Sequence, residues 1–239
     1  MSRHPDAVFL LDVDNTLLDN DRVIGDLRGH LAHEFGSASA LRYWTIFEQL
    51  RAELGYADYL GALQRYRANE PDDAMNDPQL LQMSPFLVDY PFADRLYAGA
   101  LSAIEWLGRF GQTVILSDGD VVFQPRKVQR SGLWQAVDGR VLIYIHKELM
   151  LDAMQRRYPA HHYVMVDDKL RILAAMKRVL GERLTTVFVR QGSYALDPHQ
   201  TADHPPADMM IDRIDALIDL DPGTLQGKPR AGLLQQENA

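Results

Sequence analysis

The sequence contains no cysteine, which excludes disulfides, thiolate metal sites and a cysteine nucleophile without deciding the compartment. Basic residues are in short supply as well: 25 Lys and Arg stand against 33 Asp and Glu, a formal net charge of -8. Long-range attraction to nucleic acid or to an anionic membrane is therefore not expected, although a local basic site remains open. No apolar run approaches the roughly 20 residues of a membrane-spanning helix. The first run, Ala7 to Leu11, is short and leads directly into polar residues, unlike the apolar stretch of a signal peptide. A cytoplasmic protein is the expectation. There are no internal repeats, no low-complexity segments, no Gly-rich phosphate loop of the P-loop type and no Gly-x-Ser-x-Gly elbow. The eight histidines are scattered without metal-ligand spacing.

What is present is a succession of short apolar runs followed by helical patterns. Val8 to Leu11, Thr113 to Leu116, Val141 to Ile145, Tyr163 to Val166 and Thr185 to Val189 are continuous and rich in β-branched residues, as strands buried on both faces are. Leu101, Ile104, Leu107 and Phe110 precede Gly111, and Leu170, Leu173, Met176 and Leu180 precede Gly181; both are helices closed by glycine. Alternating strands and helices predict a doubly wound α/β fold around a parallel sheet. From residue 21 to 94 the alternation stops. Ile24, Leu27, Leu31 and Phe35, then Leu41, Trp44, Phe47, Leu50 and Leu54, predict only helices there. The predicted organisation is a core of residues 1–20 and 95–222, a helical insertion over 21–94, and a frayed tail over 223–239. Pro71, Pro78, Pro85 and Pro91 mark the exit from the insertion as a turn-rich boundary.

Polar residues meet the ends of these runs: Asp12 after the first, Ser117 after the second, Lys147 two beyond the third, Asp167 and Asp168 after the fourth. Taken singly, each is better explained by a helix cap, a turn or a solvated lysine. Taken together, they converge on the carboxyl edge of a parallel sheet, where such folds bind ligands. If the first strand stays extended, Asp12 and Asp14 point to the same side. Two carboxylates facing a phosphate repel it by about 4 kcal/mol per pair of unit charges near 4 Å at an effective dielectric of ~20. A counter-cation is required, and an oxygen-only donor set suits magnesium. Asp167 is the further ligand; Asp168, pointing the other way unless the chain turns, is left to a bound water or to Arg171. Lys147 supplies positive charge to a phosphoryl group and to Asp12. Ser117 supplies a hydroxyl, and the turn beginning at Asp118 can aim N–H groups at an anion.

These residues resemble the haloacid dehalogenase superfamily, which consists mostly of phosphatases. Asp12 to Thr16 match its Asp-x-Asp-x-Thr motif, and Ser117, Lys147 and Asp167–Asp168 match the later motifs in order. Gln124, Lys127 and Gly132–Leu133 are similar to the family's next helix. The resemblance implies a Rossmann-like core with a helical cap between the first and second motifs. It also implies that Asp12 attacks phosphorus and that Asp14 acts as general acid and then general base. Ser117, Asp118 and Lys147 would hold the phosphate, and magnesium would be held by Asp12, the backbone carbonyl of Asp14, and Asp167. The dehalogenases that named the superfamily lack the second aspartate, so Asp14 points to phosphoryl chemistry. Val166 and Arg171 depart from the family's closing motif, which often has glycine and a further acid there. The implied partner is a small phosphorylated metabolite, with no nucleic acid and no membrane. The alternatives are a phosphomutase acting on a sugar phosphate and a non-catalytic member that only binds.

Overall fold

The computed structural model describes residues 5–69 and 83–227. Pro71 and Pro78 of the predicted boundary, and the tail from residue 228 onward, lie outside the described residues. Six parallel strands form one sheet in the order β3-β2-β1-β4-β5-β6, with β1 Ala7–Leu11, β2 Gln112–Asp118, β3 Val141–Tyr144, β4 His162–Asp167, β5 Leu184–Val189 and β6 Met209–Ile211. Leu10 lies in register with Val114 on one side and Met165 on the other. The continuous apolar runs are explained by burial on both faces. Phe9 and Leu11 join a cluster with Ile104, Leu107 and Val128, whereas Val8 and Leu10 join Leu151, Leu173 and Met176. Helices α4 Ala100–Gly108 and α5 Phe123–Arg130 thus cover one face, and α6 Leu151–Arg157 and α7 Leu170–Leu180 cover the other. The doubly wound α/β class holds, and the strand order reverses at β1, which puts the ligand-binding crevice at its carboxyl end.

The insertion is helical: α1 Asn20–Leu54, α2 Tyr59–Ala68 and α3 Met83–Val88. Helix α1 folds back on itself at Gly36, whose φ of 79° and ψ of 159° belong to a region open essentially to glycine. Because of that fold, Arg28 lies 4.7 Å from the Trp44 ring, although the two are sixteen positions apart. The insertion and one sheet face share a single apolar cluster, with Tyr59 of α2 packed against Phe123 of α5 at 4.9 Å between ring centroids. Among the described residues no helix is long and apolar enough to cross a membrane.

Two expectations change. Strand β6 was not anticipated: its three residues are too short a run to signal. The expected tail begins too early, because Pro222–Leu225 form a further helical turn with Leu225 fully buried. Gln226 Nε2 also donates to Phe110 O at 3.0 Å, so the chain stays attached to the core at least that far.

Candidate active site

The ladder of β1 continues one residue past its end, with Asp12 N donating to Val166 O at 3.0 Å. It does not run on to Asp14. Val13 O accepts from the N–H groups of Thr16, Leu17 and Leu18, and Asn15 has φ 59°. The chain therefore turns, and Asp14 sits in the turn instead of on an extended strand. That turn returns Thr16 Oγ1 to within 3.3 Å of Asp12 Oδ2. The other oxygen, Asp12 Oδ1, accepts from Lys147 Nζ at 2.5 Å.

Lys147 is buried, and its ammonium also reaches Leu116 O at 3.2 Å. Asp167 Oδ2 lies 2.7 Å from it as an ion pair, outside hydrogen-bond alignment. Burial opposes the charge on Lys147, but the carboxylates of Asp12, Asp167 and Asp118 more than offset this and hold its pKa above the ordinary lysine value. Lys147 opens a 3-10 turn, Lys147–Leu149, which is followed by α6. Asp118 fixes that turn: its Oδ1 accepts from Lys147 N at 2.7 Å. Burial pushes the Asp118 carboxyl up to about 6, against the pull of Lys147. In the turn after Ser117, Gly119 N donates to Tyr144 O and Asp120 Oδ1 caps the N–H groups of Val122 and Phe123. Asp118 thus positions Lys147.

Ser117 and Asp14 are joined by a residue whose role the sequence did not disclose. Gln124 Nε2 donates to Ser117 Oγ at 2.9 Å and lies 3.4 Å from Asp14 Oδ2. A side chain at Gly119 would bring its Cβ to 2.6 Å from Gln124 Cβ, so glycine there lets Gln124 lie against the turn. Lys127, one helical turn later, donates to Asp14 Oδ1 at 2.7 Å and to Asn20 Oδ1 at 2.9 Å. The available signal was the spacing: Gln124 and Lys127 are three apart, on the same face of a strongly polar helix.

The metal-ligand geometry also differs in part from expectation. One carboxylate oxygen each from Asp12, Asp167 and Asp168 lie within 4.8 Å of one another, all three residues being buried. The chain does turn between the last two, with Asp167 Oδ1 accepting from Lys169 N at 2.8 Å, and this brings Asp168 to the same side. Arg171 is not its partner: Arg171 Nη1 donates to Glu148 Oε1 at 2.6 Å. Both oxygens of Asp168 are buried without a hydrogen-bond partner among the described residues. Burial pushes its carboxyl well above the usual range; Lys169 opposes this, and Asp167 and Asp12 add to it. Lys169 is held above the ordinary lysine value despite burial by Asp168, Asp12 and Asp167. Orphaned, buried carboxylate oxygens with no nitrogen or sulfur donor among them fit a hard divalent cation. The Asp14 side chain lies outside this group, engaged by Lys127 and Gln124.

The insertion reaches the site through Tyr59. Tyr59 is buried and rests near Asp14, whose charge adds to burial in raising the phenol's pKa.

Residues 7–179 match the haloacid dehalogenase-like hydrolase family. A crystal structure of a haloacid dehalogenase-like hydrolase from Burkholderia xenovorans LB400 is 65% identical, covers 91% of this chain and 99% of its own, and superposes with a TM-score of 0.85. A HAD hydrolase from Bacillus subtilis bound to magnesium is 18% identical over 92% of this chain and 100% of its own, with a TM-score of 0.60. The L-2-haloacid dehalogenase of Xanthobacter autotrophicus is 17% identical over 90% and 98%, with a TM-score of 0.58. The last two are similar in fold alone. No curated protein sequence matches the chain. The family match over most of the length, the 65% identity and the strand-end residues agree: the chain belongs to the haloacid dehalogenase-like hydrolases.

Proposed function

We propose that this hydrolase is a magnesium-dependent phosphatase that acts on a small phosphorylated metabolite through an aspartyl-phosphate on Asp12. The observation that carries the proposal is the second carboxylate, Asp14, held by Lys127 and linked through Gln124 to Ser117. Displacement of halide needs no proton donor for its leaving group, whereas an alkoxide leaving from phosphorus does. Asp12 is presented for attack with its oxygens fixed by Lys147 and Thr16. Lys147 and the Ser117 hydroxyl receive the phosphoryl oxygens, and this positioning supplies most of what phosphoryl transfer requires. Asp14 gives its proton to the departing oxygen, then takes one from the water that releases phosphate from Asp12, so one hard displacement becomes two easier ones. Magnesium would be held by Asp12, Asp167 and Asp168, with the backbone carbonyl of Asp14, and when bound it supplies positive charge to the phosphoryl oxygens.

The test is a panel of phosphomonoesters, with and without magnesium, alongside 2-chloropropionate. Expected are magnesium-dependent phosphate release, no chloride release, and loss of turnover by at least ~10³-fold in Asp12→Asn with the fold retained. Chloride release would replace the phosphatase reading by dehalogenation. Isomerisation of a sugar phosphate with little free phosphate would replace it by a mutase, and inertness toward the whole panel would leave a binding protein.

A further inference from the structure

Helix α5 has two differently engaged faces. On the outer face Arg126 donates to Val88 O and to Asp89 Oδ1, and Arg130 to the carbonyls of Asp89 and Tyr90, which fastens the chain leaving the cap. On the inner face Gln124 and Lys127 address the two oxygens of Asp14. We propose that Lys127 is a positioning residue for Asp14 and that, through Asn20, it ties the placement of the acid–base group to the first turn of the cap. The proposal rests on the phosphatase reading.

Lys127 is 1% exposed. A lysine this deeply buried is rare unless it is paired. Among the described residues its hydrogen-bond acceptors are Asp14 Oδ1 and Asn20 Oδ1, at 2.7 and 2.9 Å. Asn20 is the first residue of α1 and hence of the cap. Its position is set in turn by Asn15, whose Oδ1 accepts from the N–H groups of Asn20 and Asp21. Asp14, Asn15, Asn20 and Lys127 thus close a ring of contacts in which the first turn of the cap and the acid–base carboxylate share one ammonium group. The Asp14 side chain is 25% exposed against 3% for Asp12, so it stands toward the mouth of the site, on the side from which a leaving group departs. A carboxylate there swings about two side-chain torsions, and misplacement by ~1 Å costs on the order of 10²-fold in rate. Lys127 removes that freedom.

The step affected is the first one. The Asp12 carboxylate forms a bond to phosphorus, the bond from phosphorus to the ester oxygen breaks, and the Asp14 proton passes to that oxygen, giving the alcohol and the Asp14 carboxylate. An aryloxide such as p-nitrophenolate leaves without a proton; a simple alkoxide does not. The two classes of ester therefore separate a positioning role for Lys127 from a general need for its charge or its packing.

The experiment measures kcat/KM, which reports steps up to formation of the aspartyl-phosphate, for p-nitrophenyl phosphate and for a simple alkyl phosphate in magnesium. Lys127→Met is expected to lose ~10²-fold or more with the alkyl ester and about tenfold or less with the aryl ester. Asn20→Ala should give the same selective pattern in weaker form, and Lys127→Arg should recover part of the alkyl activity. Asp14→Asn combined with Lys127→Met should be no slower than Asp14→Asn alone, since both act through one carboxylate. Equal losses for the two esters, or losses that multiply in the double variant, overturn the proposal. Should Lys127→Met fail to fold, the comparison is made with Lys127→Arg and Asn20→Ala, where an absence of leaving-group selectivity in both is equally decisive. If the unaltered enzyme cleaves neither ester, it is the phosphatase reading that fails.

Discussion

Asp168 is the residue at which the site is least self-sufficient. Asp12, Asp118, Asp167 and Asp168 crowd around Lys147 and Lys169, and among the described residues both oxygens of Asp168 lack a hydrogen-bond partner. Without a cation, a buried carboxylate of this kind costs the fold about 1–3 kcal/mol or more. Asp168→Asn is therefore expected to raise the melting temperature of the chelator-treated protein, by ~2–4 °C for each kcal/mol recovered in a chain of this size, while lowering magnesium-dependent activity. A lower melting temperature in chelator would show that Asp168 is satisfied by the protein alone. The same residue marks the limit of what the sequence disclosed about the site. Asp12, Ser117, Lys147 and Asp167 were legible because each closes or follows an apolar run, and strand ends share an edge. Asp168 was misplaced because its side depends on a turn made by Asp167 Oδ1 and Lys169 N. Gln124 and Lys127 went unassigned because their partner Asp14 lies more than a hundred positions away.

At the scale of elements, the cap is pinned where its chain enters and leaves. Asp26 of α1 accepts from the Tyr90 hydroxyl, and from Arg95 Nε and Nη2 at 3.1 and 2.8 Å. The Tyr90 hydrogen bond, together with Arg95 and against the effect of burial, holds the Asp26 carboxyl below its usual value. A carboxyl whose folded pKa is depressed contributes stability that is present above its unfolded pKa of about 3.9 and is lost as pH falls through the folded value. The stability of the unaltered protein over Asp26→Asn should therefore shrink as pH is lowered from about 6 to about 3, measured by thermal melts of the two proteins. A gap that stays constant or widens in acid contradicts this assignment. The effect is modest, because the Asp26 side chain is 39% exposed and solvent screens it. The elements themselves were largely legible, since strands buried on both faces announce themselves as continuous apolar runs. Faces were read less well. Leu41 and Leu101, assigned to buried stripes, are 70% and 45% exposed, and the contacts fall instead on Ala40, Tyr43 and Ile46, and on Ala100 and Ala103. Alanine and tyrosine carry a weak periodic signal, so stripes were drawn through the leucines.

For the whole molecule, the question is how an acidic chain tolerates an acidic site. The chain carries a net charge of -8, and any salt relieves the self-repulsion of its exposed charges over a Debye length of about 10 Å at 0.1 M. The cluster of Asp12, Asp167 and Asp168 is different in kind, because it is buried and mobile ions cannot screen it from a distance. Only an ion that enters and is ligated there relieves it. A ligand that binds the folded state alone stabilises it by RT ln(1 + [L]/Kd), about 2.7 kcal/mol at a hundredfold excess over Kd, or roughly 5–10 °C in melting temperature for a chain of this length. Magnesium chloride should therefore raise the melting temperature well beyond sodium chloride at matched ionic strength. In Asp168→Asn the magnesium-specific part should shrink toward the sodium response, because one of three converging carboxylates is gone. Identical responses to the two salts in the unaltered protein would mean that the surface charge accounts for all of the stabilisation and that the buried carboxylates hold no cation.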